Sequence, residues 1–266
     1  NYFVGSEFAK GEDNLWHADP AAYWPVGGTM NFLAYSVSSE TEGPGAAKAI
    51  KAVWNEDNAA EQVVLTVPAE NSQNDILFAS VSGQKCKSES SPVGMVFNHA
   101  QAWIQFQLNA GATTTGATDI VTVQKVELVD IYSKGNVTVY NNLGNAFAKW
   151  DFREETRKNV LMDDTYNVTG TPLVPKDGVE GEDSDTIGYM DMLIPEQQKT
   201  AFLITYTLKG QEANVLTYYY ELEHENWLMG HKYIYKIDFG TNEITVQPSV
   251  VTFDRGTAPE YQYPEN

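Results

Sequence analysis

Apolar and polar residues alternate over much of the chain. In "WIQFQL", Ile104, Phe106 and Leu108 fall on one face and Trp103, Gln105 and Gln107 on the other. "FLITYTL" groups Phe202, Ile204, Tyr206 and Leu208, and "YIYKIDF" groups Tyr233, Tyr235, Ile237 and Phe239 opposite Lys236 and Asp238. "NEITVQ" aligns Ile244 with Val246. A period of two marks half-buried strands with one wet face, as in antiparallel sheets. "MNFLAYSV", "VVLTVP", "DILFASV", "TVQKVELVDIY", "NVTVY" and "VLTYYYEL" extend the set. Between them stand glycine- and asparagine-rich turns such as "VGGTM", "SKGN", "NLGN" and "FGTN". Many short strands with regular turns predict an all-β sandwich, or two of them.

Local breaks refine this picture. The apolar parity slips between Leu128 and Val129, which predicts a β-bulge. Helical signal is confined to "GAAKAIKAVWN", long enough for one or two turns, and to "IPEQQKTAF", which is too short for more than a turn. The polar, serine-rich segment 83–94 is a candidate boundary, and the acidic stretch 175–188 reads as one exposed loop. No strong 20–50-residue repeat points to a propeller or solenoid.

Composition narrows the function. With 36 Asp+Glu against 17 Lys+Arg the net charge is -19, so a polyanion is repelled over most of the surface and no nucleic acid partner is expected. The single cysteine, Cys86, allows no internal disulfide and no multi-cysteine zinc site, and no local base or orienting group activates it. No apolar run approaches the roughly 18 residues of a spanning helix. The 15 Tyr suit pleated, half-buried surfaces.

Chemistry-bearing patterns are sparse. His17, His99, His224 and His231 form no HExxH pair, and no nucleophile elbow, Walker loop or GxGxxG occurs. Asp177, Glu180, Glu182, Asp183 and Asp185 cluster without the spacing of an EF-hand loop, so a solvated loop is the plainer reading. Two carboxylates would suit a glycosidase, but with 36 acids a pair is always at hand. Catalytic residues, metal ligands and cofactors are therefore not expected. Trp16, Tyr23 and Trp24 gather near Pro20 and Pro25 and are candidate ligand-binding aromatics, with core cover as the alternative. Tyr218, Tyr219 and Tyr220 place rings on both faces of one strand.

Six segments, in order, carry a resemblance. They are "YWPVGGTMNFLAYS" (23–36), "NDILFAS" (74–80), "VFNHAQAWIQFQL" (96–108), "VELVDIYSKGNV" (127–137), "MLIPEQQKTAFLITYTL" (192–208) and "GHKYIYKIDFGTNEITVQPSV" (230–250). Around the histidine the pattern is His99-Ala100-Gln101-Ala102, and the closing pattern is Gly230, Tyr233, Tyr235 and Ile237. Together they are similar to the fimbrillin-like pilins and adhesins of Bacteroidetes.

The resemblance implies two tandem transthyretin-like antiparallel β-sandwich domains. The first would cover 1–91 and lack its opening strand or strands; the second would cover 92–266. Proteolytic processing, a shortened chain or an unbuilt segment each accounts for the missing strand. The resemblance also implies export as a lipoprotein, display at the outer membrane, and fimbrial assembly in which a groove accepts a strand from the next subunit. A missing strand leaves backbone groups to be satisfied by β-augmentation. The candidate donor is the C-terminal segment, with Val250, Val251, Phe253, Tyr261 and Tyr263 as plug residues; an ordinary final strand and frayed tail is the alternative. Thr186 in "DTI" fits a short O-glycosylation pattern of that group.

Two functional readings stay open: a non-catalytic fimbrial subunit or adhesin partnered by other fimbrial subunits, and a monomeric surface lipoprotein that binds a host or bacterial glycan or protein. A glycosidase is a third and weaker reading. On the first, His99 is a packing residue, hydrogen-bonded through a ring nitrogen, in the opening strand of the second domain.

Overall fold

The computed structural model describes residues 7–19, 21, 23–37, 51–54, 62–67, 75–86, 92–110, 121–142, 145–162, 169–170, 172–173, 188–223, 225–239 and 243–252. Nearly all of the alternating segments become strands. The chain begins with β1 (Glu7–Lys10), β2 (Trp16–Asp19), β3 (Met30–Val37), β4 (Lys51–Trp54), β5 (Gln62–Val67), β6 (Ile76–Gln84) and β7 (Asn98–His99). Next come β8 (Gln101–Ala110), β9 (Val121–Tyr132), the hairpin of β10 (Gly135–Asn142) and β11 (Asn145–Phe152), and β12 (Arg157–Leu161). The last group is β13 (Pro172–Leu173), β14 (Gly188–Pro195), β15 (Gln197–Gln198), β16 (Ala201–Leu208), β17 (Leu216–Glu221), β18 (Asn226–Trp227), β19 (His231–Phe239) and β20 (Ile244–Thr252). Among the described residues the one helical element is a 3-10 turn at Glu154–Thr156.

These strands build two packed pairs of sheets. In the first, the sheet β3-β6-β7 lies against the sheet β4-β5-β10-β11. Their core joins Ile76 and Phe78 to Ala100, Val137, Val139, Ala148 and Trp150. In the second, β14-β8-β19-β20 packs against β12-β9-β16-β17, with β13 also paired to β9. Among the described residues all strand pairings are antiparallel except β8 with β19, which run parallel. The period-two reading holds residue by residue: Ile104, Phe106 and Leu108 are fully buried, as are Phe202 and Ile204 opposite them. Phe106 meets Phe202 edge-on at 5.0 Å and stacks on Tyr235 at 5.3 Å, so aromatic contacts tie the two sheets together.

Two sequence expectations are sharpened or reversed by the pairing. Opposite β12, β9 passes from Leu128 to Ile131 while β12 passes only from Val160 to Lys158. The extra residue is the expected bulge, and Asp130 there takes a positive φ of 53°. Arg157 holds it, with Nη2 donating to Asp130 Oδ2 at 2.8 Å. The helical reading of "GAAKAIKAVWN" is corrected over Lys51–Trp54, which is strand β4, paired with β5; the rest of that segment lies outside the described residues. Four residues with an available strand edge form a ladder more readily than an isolated helical turn, whose nucleation is costly.

The two sandwiches are interlocked rather than strung in line. The hairpin β10-β11 follows β9 of the second sandwich, yet β10 pairs with β5 of the first from Gly135↔Val67 to Tyr140↔Gln62. It thus crosses the boundary drawn near residue 91. A stack of rings fills the crossing: Trp150 on Phe152, and Phe152 on Tyr132 at 4.6 Å. Gly135 lies under this stack, where an added Cβ would stand 2.8 Å from Phe152 Cε1 and 3.0 Å from Trp150 Cε3. Gly135→Ala is therefore expected to destabilise the protein by about 1–3 kcal/mol through overpacking. Urea unfolding measures this, and an unchanged midpoint would mean that the stack yields freely.

Candidate assembly site

The C-terminal strand is built to be half inside and half outside the core. β20 pairs with β19 along its whole length, from Phe239↔Ile244 to His231↔Thr252. On β19, Tyr233, Tyr235, Ile237 and Phe239 all point inward and are buried. Their β20 partners are Val250, Pro248, Val246 and Ile244 in turn, so these four share the inward face. Ile244 and Val246 pack against the core. Pro248 and Val250 do not, although they face the same way; Val250 is 52% exposed.

The facing sheet explains the change. Its edge strand is β17, whose Tyr218 and Tyr220 pack on the core beside Ile244 and Val246. The Tyr218 hydroxyl donates to the Ile244 carbonyl at 3.4 Å. Burial raises the Tyr218 pKa above its ordinary value, with a smaller contribution from Tyr220. Among the described residues no strand follows β17 in that sheet, so the far half of β20 overhangs an open side. Val251, on the outer face, is 47% exposed. Among the described residues β20 is also the last strand of its own sheet, and an edge strand with unpaired outer N–H and C=O groups is a template for another chain. Pro248 fits such an edge, because proline lacks the N–H that a central strand must donate.

Behind the edge the core is closed firmly. Trp227 is fully buried and its indole N–H donates to the Tyr235 hydroxyl at 2.9 Å. Burial drives the Tyr235 pKa far upward, and that hydrogen bond opposes only part of the rise. The Tyr233 hydroxyl accepts from the Leu228 backbone N–H at 2.8 Å and donates to the Asn226 carbonyl at 3.2 Å. The loop bearing β18 is thereby pinned across the end of the sandwich.

The other predicted site residues are scattered. Trp16 lies on β2, in a two-stranded ribbon with β1, and is 65% exposed. Tyr23 is 79% exposed, while Trp24 is half-buried and meets Phe32 edge-on at 5.8 Å. Phe253, Tyr261, Tyr263 and Thr186 lie outside the described residues. His99 belongs to β7, which pairs with Leu77 of β6 in the first sandwich. Its Nδ1 lies 2.9 Å from the Asp75 carboxylate, the ring-nitrogen bond expected of a packing residue. Among the described residues no group of three or more His, Cys, Asp or Glu side chains is arranged to hold a metal ion.

Sequence reading missed the overhang itself. Its signal was present, because "VQPSVV" keeps apolar residues at alternate positions past the last one that packs on the core. Period two shows which way a side chain points but not whether anything stands opposite it.

These features define a β-sandwich protein that offers strand edges and exposed rings. The chain belongs to the fimbrillin-like family, whose model matches residues 1–252. It is similar in structure to a fimbrial protein from Bacteroides vulgatus, at 15% identity and a TM-score of 0.62, covering 95% of this chain and 86% of that one. It is also similar to a candidate cell adhesion protein from Bacteroides uniformis, at 17% identity and a TM-score of 0.51, covering 92% of this chain and 78% of that one. Similarity to the tip fimbrial protein Mfa3 from Porphyromonas gingivalis is lower, at 11% identity and a TM-score of 0.36, covering 84% and 94%. No curated protein matches the chain. At these identities the structural likeness carries the fold. The family match makes the protein fimbrillin-like.

The exposure of β20 has a measurable consequence. Val250→Asp and Val251→Asp are each expected to change the unfolding free energy by no more than about 0.5 kcal/mol, as for exposed sites generally. Tyr235→Ala, two strand partners away in the closed core, is expected to cost about 3–5 kcal/mol. A valine variant losing more than about 1 kcal/mol in urea unfolding would place that residue in the core.

Proposed function

We propose that the protein is a non-catalytic cell-surface fimbrial subunit or adhesin that assembles by β-strand donation between subunits. Membership of the fimbrillin-like family supports the fimbrial class. The observation that carries the donation step is the overhang of β20, where Pro248 and Val250 face inward with no strand opposite them among the described residues. The half of β20 beyond Val246 gives up little core packing by leaving its place, its ladder to β19 would be exchanged for one with the acceptor, and its alternate side chains are set at the period that an acceptor groove reads. Val250 and Val251 are the described plug residues. Phe253, Tyr261 and Tyr263 would continue the segment into the acceptor.

The chain is read as two transthyretin-like sandwiches, 1–91 and 92–266, with β7 and the β10-β11 hairpin lent by the second to the first. Display at the outer membrane as a lipoprotein, and modification at Thr186, belong to the same reading. No helix among the described residues is long and apolar enough to cross a membrane, so anchoring would fall to a lipid or to other subunits. Deletion of residues 247–266 is expected to abolish filaments seen by electron microscopy of purified protein while leaving a folded monomer. Undiminished filaments would remove the C-terminal segment from the donor role.

A second reading rests on the exposed rings of Trp16 and Tyr23, which offer flat apolar faces of the kind that stack on sugars. On this reading the protein is a monomeric surface lipoprotein that binds a glycan. Binding on a glycan array, lost in Trp16→Ala and Tyr23→Ala, is the expected outcome. An array without hits, together with unchanged adhesion of cells carrying those variants, sinks it.

A further inference from the structure

The ladder between β19 and β20 changes character at its middle. Up to Val246 the residues of β20 are half-buried, and from Gln247 to Thr252 every residue is exposed, on both faces of the strand. Their partners on β19 show no such step. Tyr233 and Tyr235, opposite Val250 and Pro248, are buried, as are Ile237 and Phe239, opposite Val246 and Ile244. β20 is one ladder with two halves, and only the near half closes the core.

The two halves of β19 are correspondingly held by different means. Ile237 and Phe239 share their ladder with Val246 and Ile244, which pack with Tyr218 and Tyr220 on the core. The Tyr218 hydroxyl fastens this half of β20 at the Ile244 carbonyl. Tyr233 and Tyr235 are fixed instead by the loop bearing β18, through the Leu228 N–H, the Asn226 carbonyl and the Trp227 indole. Withdrawing Ile244 and Val246 would open the core. Withdrawing Pro248–Thr252 costs a ladder but leaves all of those side-chain bonds standing. Pro248 stands at the change. It gives an incoming strand no N–H at the outer edge, so pairing onto β20 in place is poorest at the start of the exposed half. A segment that has left can offer the edge that faced β19.

We infer that β20 divides between Gln247 and Pro248 on assembly: Ile244–Gln247 stays in the sheet as a stem, and Pro248–Thr252 swings out as the start of the donor. This rests on the strand-donation reading and deepens it, by fixing where the donor begins and by requiring that it leave its place. The stem keeps Ile244 and Val246 over the core, so the subunit stays closed while its tail is handed on. Local opening of this kind draws on the least packed part of a structure.

Two disulfide staples test the division, each in a Cys86→Ser background of the full chain. Ile234→Cys with Ser249→Cys ties the exposed half to β19, and Lys236→Cys with Gln247→Cys ties the stem. The two pairs lie on the same outward face two residues apart, so they are the same kind of antiparallel pair and take a staple alike. Electron microscopy of each oxidised variant, and of the same sample after dithiothreitol, is the readout. The Ile234–Ser249 staple is expected to abolish filaments and reduction to restore them, while the Lys236–Gln247 staple leaves filaments intact. Each staple is compared with its own reduced form, so a folding defect shows as filaments absent from both. Hydrogen exchange of the Cys86→Ser protein reads the division without assembly: the ladder amides of Ser249–Thr252 should exchange about tenfold faster than those of Ile244–Gln247. Filaments that persist with Ile234–Ser249 closed mean that β20 pairs in place. Filaments lost on closing Lys236–Gln247 mean that the whole strand leaves, and equal protection of both halves removes the division. Each of these overturns the inference, yet strand donation survives them if deleting residues 247–266 still abolishes filaments. Filaments that survive that deletion overturn both.

Discussion

Everything in this fold hangs on how one strand passes from the first sandwich to the second at Ala100 and Gln101. The Ala100 N–H donates to the Ile76 carbonyl at 2.8 Å, and the Trp150 indole N–H donates to the Ala100 carbonyl at 2.8 Å. The Ile76 N–H donates to Gln101 Oε1 at 3.1 Å, and the Gly230 N–H donates to the Gln101 carbonyl at 2.9 Å. Ala100, Gln101 and Ile76 are fully or almost fully buried. A buried polar group left without a partner costs about 1–3 kcal/mol, so no one of these bonds can be surrendered cheaply. Four segments distant in sequence must arrive together at a single bend. That requirement makes Ala100 small, places Trp150 at the end of β11, and ties both cores to one crossing.

The second consequence concerns motion between the sandwiches. Among the described residues the chain crosses between them three times: at Ala100–Gln101, at Ser133–Lys134 and at Arg153–Thr156. The last two crossings are laced to each other, since the Ser133 N–H and hydroxyl both donate to the Thr156 carbonyl and the Thr156 hydroxyl donates to the Arg153 and Lys134 carbonyls. Domains joined by one linker move relative to each other by default. Three crossings with a shared ring stack remove that freedom.

How much of this was legible in the sequence follows from the range of each interaction. Period two located most of the strands and their inward residues, because burial on one face is a local constraint. The parity slip at Leu128–Val129 correctly marked the bulge, which is local as well. Pairing is not local. Nothing in "NVTVY" says that its partner is "VVLTV" some seventy residues earlier, so a boundary drawn from composition missed the lent hairpin. His99 shows both cases: its role as a hydrogen-bonded packing residue was readable from the lack of any partner motif. Its place in the first sandwich, opposite Leu77, required the pairing. Nor does alternation report what faces a strand, and the exposed half of β20 is invisible for that reason.

The same limit separates the two outer faces of the second sandwich. On the β14-β8-β19-β20 side, the polar pattern is broken by Trp103, yet that ring is accounted for within its own sheet. Its N–H donates to Asp191 Oδ1 at 2.7 Å, Gln105 donates to the same oxygen at 2.9 Å, and the Lys232 ammonium stands 3.5 Å above the ring. Burial against the ring lowers the Lys232 pKa, while nearby Asp191 acts in the opposite sense. Carboxylate, amide and ammonium together turn an apolar exception into part of a polar network. On the other side, the Lys125–Glu127 pair satisfies its own charges but covers neither Leu161 nor Tyr219. The first sheet thus encloses its large aromatic exception, and its bare outward valine, Val251, stands on the edge strand; on the second sheet the neighbours leave Leu161 and Tyr219 bare. A face whose apolar groups are already enclosed gains little from a partner, whereas one with bare groups gains the area it buries. Sequence alternation alone ranks these faces alike; the contacts around each exception distinguish them.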